Sequence, residues 1–342
     1  MNRSALRQVI SFKEHSTTSK AIKSQWQDLK RFCNSRRLLL SVAQNAYEAC
    51  APTSETCDNL HESEEPPLLQ DPDRARIVCI SDSHSRHACL PPLPLGDVLI
   101  HAGDLTDSGT ESELYSALAW LNAAPHPHKI FIAGNHDVGL ANPSICAALL
   151  ARFPALTYLQ DSSTTIAVRD RLLSIYGSPR TPSRGPHGVF HYGPWEDPRW
   201  DASIPPYTDV LVTHGPPAFH LTTYPGGSGE GAGCPALLRA LWDARPRPRL
   251  HLFGHVHRGR GVRAVRWCAA QAVYEAVCAD ERGWAAALWL VGVAVRAAMR
   301  ARPHGDAAGD AASTTMLVNA ACKWRDRPRG AIVVDVPLPE RP

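Results

Sequence analysis

Residues 76–84 read RIVCISDSH: an apolar run, Ile77 to Ile80, stops at the polar quartet Ser81-Asp82-Ser83-His84. The length and flanks are those of a buried strand. The construction returns four more times. Val98 to His101 ends in Gly103-Asp104, and Ile130 to Ala133 ends in Gly134-Asn135-His136-Asp137. Val210 to Thr213 ends in His214-Gly215-Pro216-Pro217, and Leu250 to Phe253 ends in Gly254-His255-Val256-His257. Helix candidates lie between several of these runs, at Glu111 to Asn122, Pro143 to Arg152 and Pro235 to Asp243. Leu172 to Tyr176, Met316 to Asn319 and Ile332 to Val336 supply further strands. Strand, polar loop and helix in alternation predict an α/β fold with its chemistry at the carboxyl ends of the strands.

Outward from that core, a chain of 342 residues is one large domain or two small ones, and 44% hydrophobic with 20% charged residues is a globular composition. That excludes a disordered or fibrous chain as a whole. Lys plus Arg minus Asp plus Glu is 36 − 33 = +3, too small a surplus for a sequence-independent nucleic-acid binder. The longest strongly apolar run, Trp284 to Val295, is well under the roughly 20 residues that span a bilayer, so a buried helix is expected and no transmembrane segment. Ten cysteines with no C-x-x-C pair, and no apolar secretory segment at the start, favour a reducing compartment over a disulfide scaffold. A cytoplasmic location is expected. The basic first fifty residues keep a mitochondrial transit peptide as the alternative.

Three regions follow from these shifts in texture. Residues 1–50 form a basic, partly helical N-terminal extension in which Trp26 to Tyr47 carries apolar residues at loose helical spacing. Residues 51–74 form an acidic, proline-containing linker. Residues 75–342 form the main domain, within which Ala-rich 269–312, with Trp284 and Trp289, stands out as a candidate insertion whose role is packing. Pro179 to Pro206 is expected to be a long irregular segment, of the sort that is often functional.

The five strand ends each deliver Asp, His or Asn, the oxygen and imidazole donors that suit divalent first-row metals. Two cations roughly 3.5–4 Å apart can clamp a phosphoryl group, and they need a carboxylate able to bridge them. Asp104 is the candidate bridge. Asp82, His84 and His257 would complete one metal position, and Asn135, His214 and His255 the other. The scarcity of thiolates argues against a closed structural zinc site.

Asp82-Ser83-His84, Gly103-Asp104-Leu105-Thr106-Asp107, Gly134-Asn135-His136-Asp137, Thr213-His214-Gly215-Pro216-Pro217 and Gly254-His255-Val256-His257 resemble, in order, the five motifs of the calcineurin-like metallophosphoesterases. Ser81 to Ser85, Ile100 to Asp104 and the Gly-Pro-Pro after His214 resemble the metallophosphoesterase-domain-containing branch, in a fungal-type member. The resemblance runs from about Arg76 to the end and leaves the first seventy or so residues uncovered. It implies a four-layer α/β/β/α sandwich of two mixed sheets. At the carboxyl-end loops it implies a dinuclear site holding two divalent or transition metal ions, of manganese, iron or zinc. It also implies that His136 approaches the leaving-group oxygen instead of binding metal, with Asp137 orienting it and Asp107 holding a ligand histidine or nearby backbone. For Asp107, a helix N-terminal acid is an equal alternative.

Ser108 after Asp107, and Asp137 closing the third motif, depart from the protein Ser/Thr phosphatases, which have Arg and Glu there. Arg86, His87, His187 and His191, with Arg180 and Arg184, are candidates to meet substrate; solvated surface is the competing reading of each. His126 and His128 precede a strand and are read as structural. The expected activity is that of a hydrolase acting on ester bonds: metal-dependent hydrolysis of a small-molecule phosphoester by hydroxide held between the metals, with His136 assisting the leaving group. A phosphodiester is the favoured substrate, cyclic nucleotides by resemblance alone. The alternatives are a phosphomonoesterase or nuclease on the same site, or a non-catalytic, metal-stabilised binding module. The oligomeric state stays open.

Overall fold

The computed structural model describes residues 35, 38–49, 71–183, 188–193, 196, 200–222, 233–279, 283–300, 314–324 and 327–339. After a helix at residues 38–49 (α1) come β1 (Arg74–Ile80), β2 (Val98–Ala102), α2 (Glu111–Ala123), β3 (His128–Ile132), α3 (Pro143–Leu150) and β4 (Leu156–Tyr158). Then follow β5 (Ser162–Val168), β6 (Arg171–Ser178), β7 (Thr181–Pro182), β8 (His191–Tyr192), α4 (Trp200–Ser203), β9 (Val210–Thr213), α5 (Pro235–Asp243) and β10 (Leu250–Phe253). The chain closes with β11 (Gly261–Arg266), α6 (Ala269–Cys278), α7 (Trp284–Arg300), β12 (Thr314–Asn319), β13 (Lys323–Trp324), β14 (Arg327–Pro328) and β15 (Ile332–Pro337).

Two mixed sheets carry the fold. One has the order β15-β1-β2-β3-β4 and the other β11-β12-β10-β9-β6-β5. The inner strands pair in parallel, whereas β15, β11 and β5 join antiparallel at edges. Side chains alternate faces along a strand, so each apolar run feeds two cores. Ile77 and Cys79 of β1, Val98 and Ile100 of β2, and Ile130 and Ile132 of β3 meet Ile175, Val210, Val212, Leu250 and Leu252 between the sheets. Val78, Ile80, Leu99 and Phe131 point the other way, onto Leu114, Leu118 and Leu121 of α2 and Leu149 of α3. Leu211, Phe253 and Leu317 leave the second sheet outward, onto Trp200 and Leu237, Leu238 and Leu241 of α5. Helix, sheet, sheet, helix is the result.

Local chemistry sets where the covering helices start. Thr110 caps α2 and forms a capping box with Glu113, its side chain accepting from the Glu113 amide. Pro235 opens α5 and Pro143 opens α3 at the first turn, where a missing N–H costs nothing.

A second helical body sits at the β11 end. Leu39, Ala43 and Tyr47 of α1 pack with Tyr274 and Val277 of α6 and with Ala287 and Leu290 of α7. Tyr47 stacks on Tyr274 at 4.7 Å, with the Arg263 guanidinium over both rings. Glu275 ties this body to the sandwich: it is buried and accepts from the Trp242 indole at 2.6 Å, lies 2.9 Å from Nε2 of His220, and also takes the Gln271 amide. The helices α6 and α7 therefore form a packed pair.

Two sequence expectations need correcting. The Trp284–Val295 helix is not buried all round. Ala287 and Leu290 face α1 and α6, but Leu288 is 62% and Trp289 47% exposed, because only one side of α7 has a neighbour among the described residues. Pro179–Pro206 is not wholly irregular either, since β7, β8 and α4 lie within it and Trp200 is in the core. Residues 184–187, 194–195 and 197–199 of that segment, and most of residues 1–74, lie outside the described residues. No helix among the described residues is long and apolar enough to cross a membrane.

Candidate metal centre

The loops after β1, β2, β3, β9 and β10 leave their sheets at one rim, and their polar side chains converge. Asp82, His84 and His257 bring ligand atoms within 4.8 Å of one another, as do Asp104, His214 and His255. His257 Nε2 is 3.0 Å from Asp82 Oδ1 and 3.3 Å from His84 Nε2. His214 Nε2 is 3.0 Å from Asn135 Oδ1. Asp104 lies between the halves, with Oδ2 3.6 Å from His84 Nε2 and Oδ1 3.4 Å from His214 Nε2. All seven residues assigned to metal from the sequence are thus brought into one cluster.

The backbone is bent to achieve this. Asp82, His84, Asp104 and His255 all have positive φ, at 54°, 44°, 54° and 63°. A non-glycine residue held there stores roughly 1–3 kcal/mol, and such strain persists where surrounding structure over-determines it. The surroundings are specific. The Asp82 amide donates to the Gly103 carbonyl at 2.9 Å, and the His255 amide donates to the Asp82 carboxylate at 3.0 Å. The β10 loop approaches so closely that a Cβ on Gly254 would sit 2.1 Å from Asp82 Oδ2.

Two carboxylates, Asp82 and Asp104, are almost fully buried side by side, and such groups stay ionised only if cations or donors answer them. Burial works to raise both. The His257 hydrogen bond and the His257, His214 and His84 charges hold Asp82 well below the usual carboxylate range. His214 does the same for Asp104, holding it at about 2. Burial works to lower His214, and Asp104 outweighs it and carries the ring to about 9. In this arrangement imidazoles do the neutralising that cations would do. His214 Nδ1 is 2.9 Å from the Ala102 carbonyl, which assigns the proton to Nδ1 and aims Nε2 at the cluster. Oxygen and imidazole donors, buried, strained and aimed inward, fit divalent or transition metal ions.

His136 lies at the edge of this cluster, its ring 4.8 Å from that of His84. Its Nδ1 is 2.7 Å from the Asp107 backbone carbonyl, so Nδ1 donates there and Nε2 remains for chemistry. Asp137 does not orient it. The Asp137 carboxylate instead accepts from the amides of Leu105, Thr106 and Gly134 and from the Thr106 hydroxyl, splinting the β2 and β3 loops together. Three amides and a hydroxyl already claim it, and it points into the protein. Asp107 is not a helix cap, a role Thr110 fills; its Oδ1 lies 3.0 Å from His84 Nδ1.

The substrate candidates divide. His191 approaches the rim, where it feels His214, Asp104 and His136, and the Val189 amide just before it donates to the Asn135 carbonyl. Arg86 is exposed on the turn after His84. His87 is not a surface group: it is buried beside Trp120, with Ser116 on its Nε2, because its short 3-10 turn packs on α2. Arg180 is paired with Asp161 at 3.0 Å. Arg184 and His187 lie outside the described residues. His126 and His128 bond to the carbonyls of Pro94 and Ala167, away from the rim. One residue near the site carried no motif signal: Lys323, 3.0 Å from Asp107 Oδ1. It is more than sixty residues beyond His257, and only the pairing of β12 beside β10 brings it back.

Comparison with known proteins follows the same stretch. The family model of the calcineurin-like phosphoesterases matches residues 75–259. A protein of Emericella nidulans named probable rhamnogalacturonate lyase C is 39% identical over 261 residues, which cover 74% of this chain and 22% of that one. Human metallophosphoesterase domain-containing protein 1 is 37% identical over 56% of this chain and 64% of its own length. A UPF0046 protein of Caenorhabditis elegans is 37% identical over 55% of this chain and 71% of its own. The chain thus spans about a fifth and about two thirds, respectively, of the first two relatives.

Proposed function

The chain belongs to the calcineurin-like phosphoesterase family, in the branch of the metallophosphoesterase domain-containing proteins, and from that premise we propose that it is a metal-dependent phosphoesterase acting on phosphodiesters. The observation that carries the proposal is the position of Asp104, one oxygen toward His84 and the other toward His214. That is the placement a bridging carboxylate needs.

Asp82, His84, His257 and Asp104 would hold one ion, and Asn135, His214, His255 and Asp104 the other. Two such ions supply charge neutralisation at a phosphoryl group and make water a nucleophile near neutral pH. The protein's own part is then positioning and proton supply. The splint of the Asp137 carboxylate keeps the Asp104 and Asn135 loops at fixed separation. The Asp107 carbonyl keeps His136 Nε2 turned to the rim, where a protonated ring gives its proton to the departing alkoxide. His191, which feels the charges of His214, Asp104 and His136, would meet a phosphate oxygen or the second ester group. The lyase of the fungal relative's name belongs to a protein of which this chain matches only 22%.

Turnover of bis-p-nitrophenyl phosphate with added manganese tests the reading. Asp104→Asn is expected to lower kcat at least a hundredfold together with bound metal, as befits loss of a ligand shared by both ions. His136→Ala is expected to lower kcat by roughly 10²–10⁴ while metal content stays at the wild-type value. Activity that survives both substitutions would move the chemistry elsewhere, and faster cleavage of p-nitrophenyl phosphate than of the diester would make the enzyme a monoesterase.

A further inference from the structure

The segment after β12 returns to the rim by a defined route. The Ala320 amide donates to the Phe253 carbonyl, the Cys322 amide donates to the Ser81 carbonyl at 2.7 Å, and Ala321 bridges Ser81 itself. The Arg260 guanidinium, three residues past His257, donates to the carbonyls of Ala320, Ala321 and Gly330. Backbone on both sides of Lys323 is therefore clamped to the two loops that carry Asp82 and His257. From that anchor Lys323 Nζ reaches Asp107 Oδ1 at 3.0 Å, and the same oxygen lies 3.0 Å from His84 Nδ1. The opposite nitrogen of that ring, Nε2, faces Asp104, Asp82 and His257.

We propose that Lys323 is a positioning residue of the metal site, which through Asp107 fixes the orientation of His84 and so sets the affinity of the Asp82–His84–His257 position for its ion. The inference rests on the metal-site reading above. Asp107 is 46% exposed, so alone it is free to turn its carboxylate into water; the ammonium keeps it within 3.0 Å of His84 Nδ1, a close approach that is not an aligned hydrogen bond before an ion is bound. Lys323 Nζ pairs with Asp107 on the Nδ1 side of the His84 ring, whereas Asp104 and His257 lie on its Nε2 side. Positioning and plain electrostatics predict opposite signs. A cation that merely sat near the site would repel a metal ion, and its loss would tighten binding. A cation that orders a ligand loosens binding when lost.

Calorimetric titration of the metal-stripped full-length protein with Mn²⁺ separates them. With Lys323→Met, one of the two binding steps is expected to weaken by about 10- to 100-fold, the range for partners that orient metal ligands, and the other to stay within about twofold. Asp107→Asn is expected to weaken the same step. The double variant is expected to be no weaker than the worse single one, since both act on one histidine. Lys323→Arg, which still reaches the carboxylate, is expected to restore the step, and the melting temperature of the stripped Lys323→Met protein is expected to match wild type. Unchanged or tighter Mn²⁺ binding by Lys323→Met, with two steps intact in wild type, overturns the role of Lys323 alone. Absence of any Mn²⁺ binding by the wild type overturns the metal pair and this proposal with it.

Discussion

At the scale of residues, His214 shows how the fold answers a buried carboxylate with a proton where a metal ion would do the same. Without metal, the ring has the Ala102 carbonyl on one nitrogen and Asn135 and Asp104 on the other, a set that suits an imidazolium. Its folded value of about 9 lies above the 6.5 of a free histidine. The stability this contributes is fully present below pH 6.5 and is lost as pH rises toward 9. The metal-stripped protein is therefore expected to lose urea resistance between pH 6.5 and 9. The manganese-loaded protein, with a neutral ring as ligand, is expected not to lose that increment. Parallel stability curves for the two forms over this range would contradict the assignment. The same scale explains why one residue role was misread from the motif. The resemblance implied that Asp137 orients His136, but consecutive side chains leave the turn in different directions and the carboxylate is taken by three amides and a hydroxyl.

At the scale of elements, α6 and α7 depend on a polar anchor inside an otherwise apolar contact. Glu275 answers Trp242, His220 and Gln271 at once, so removing its acceptor oxygens strands several buried donors. Each stranded donor costs about 1–3 kcal/mol. Glu275→Ala is expected to speed hydrogen exchange in α6 and α7 and lower urea resistance, with kcat and Mn²⁺ affinity unchanged, because no residue of the metal cluster touches it. A fall in kcat at full metal occupancy would show that this helical body reaches the site. The strands that escaped sequence reading are also intelligible here. β5 is Ser-Ser-Thr-Thr-Ile-Ala-Val, with Ile166 and Val168 facing the core, and β11 carries Arg263 and Arg266. Both are edge strands, buried on one face at most, and so lack the continuous apolar run that marked β1, β9 and β10.

At the scale of the whole molecule, five loops from two sheets hold Asp82 and Asp104 against each other in a buried site, and metal ions are the natural compensation. Stripping metal with a chelator is expected to lower unfolding free energy, and excess Mn²⁺ to restore it by about 2.7 kcal/mol at a hundredfold excess over Kd for one site. Indifference of the melting temperature to metal would mean that no ion binds the folded state preferentially. The sequence by itself determined the alternation of strand and helix and the donor residues at five strand ends. Those features are local: a buried strand needs an apolar run, and a ligand must follow it where the backbone turns. Only the tertiary structure decided that Asp104 faces both halves, that Asp137 is a splint, that His87 is buried and that Lys323 returns to Asp107. Each of these depends on the direction of a side chain relative to a distant segment, which strand pairing and loop torsions set and no spacing along the chain encodes.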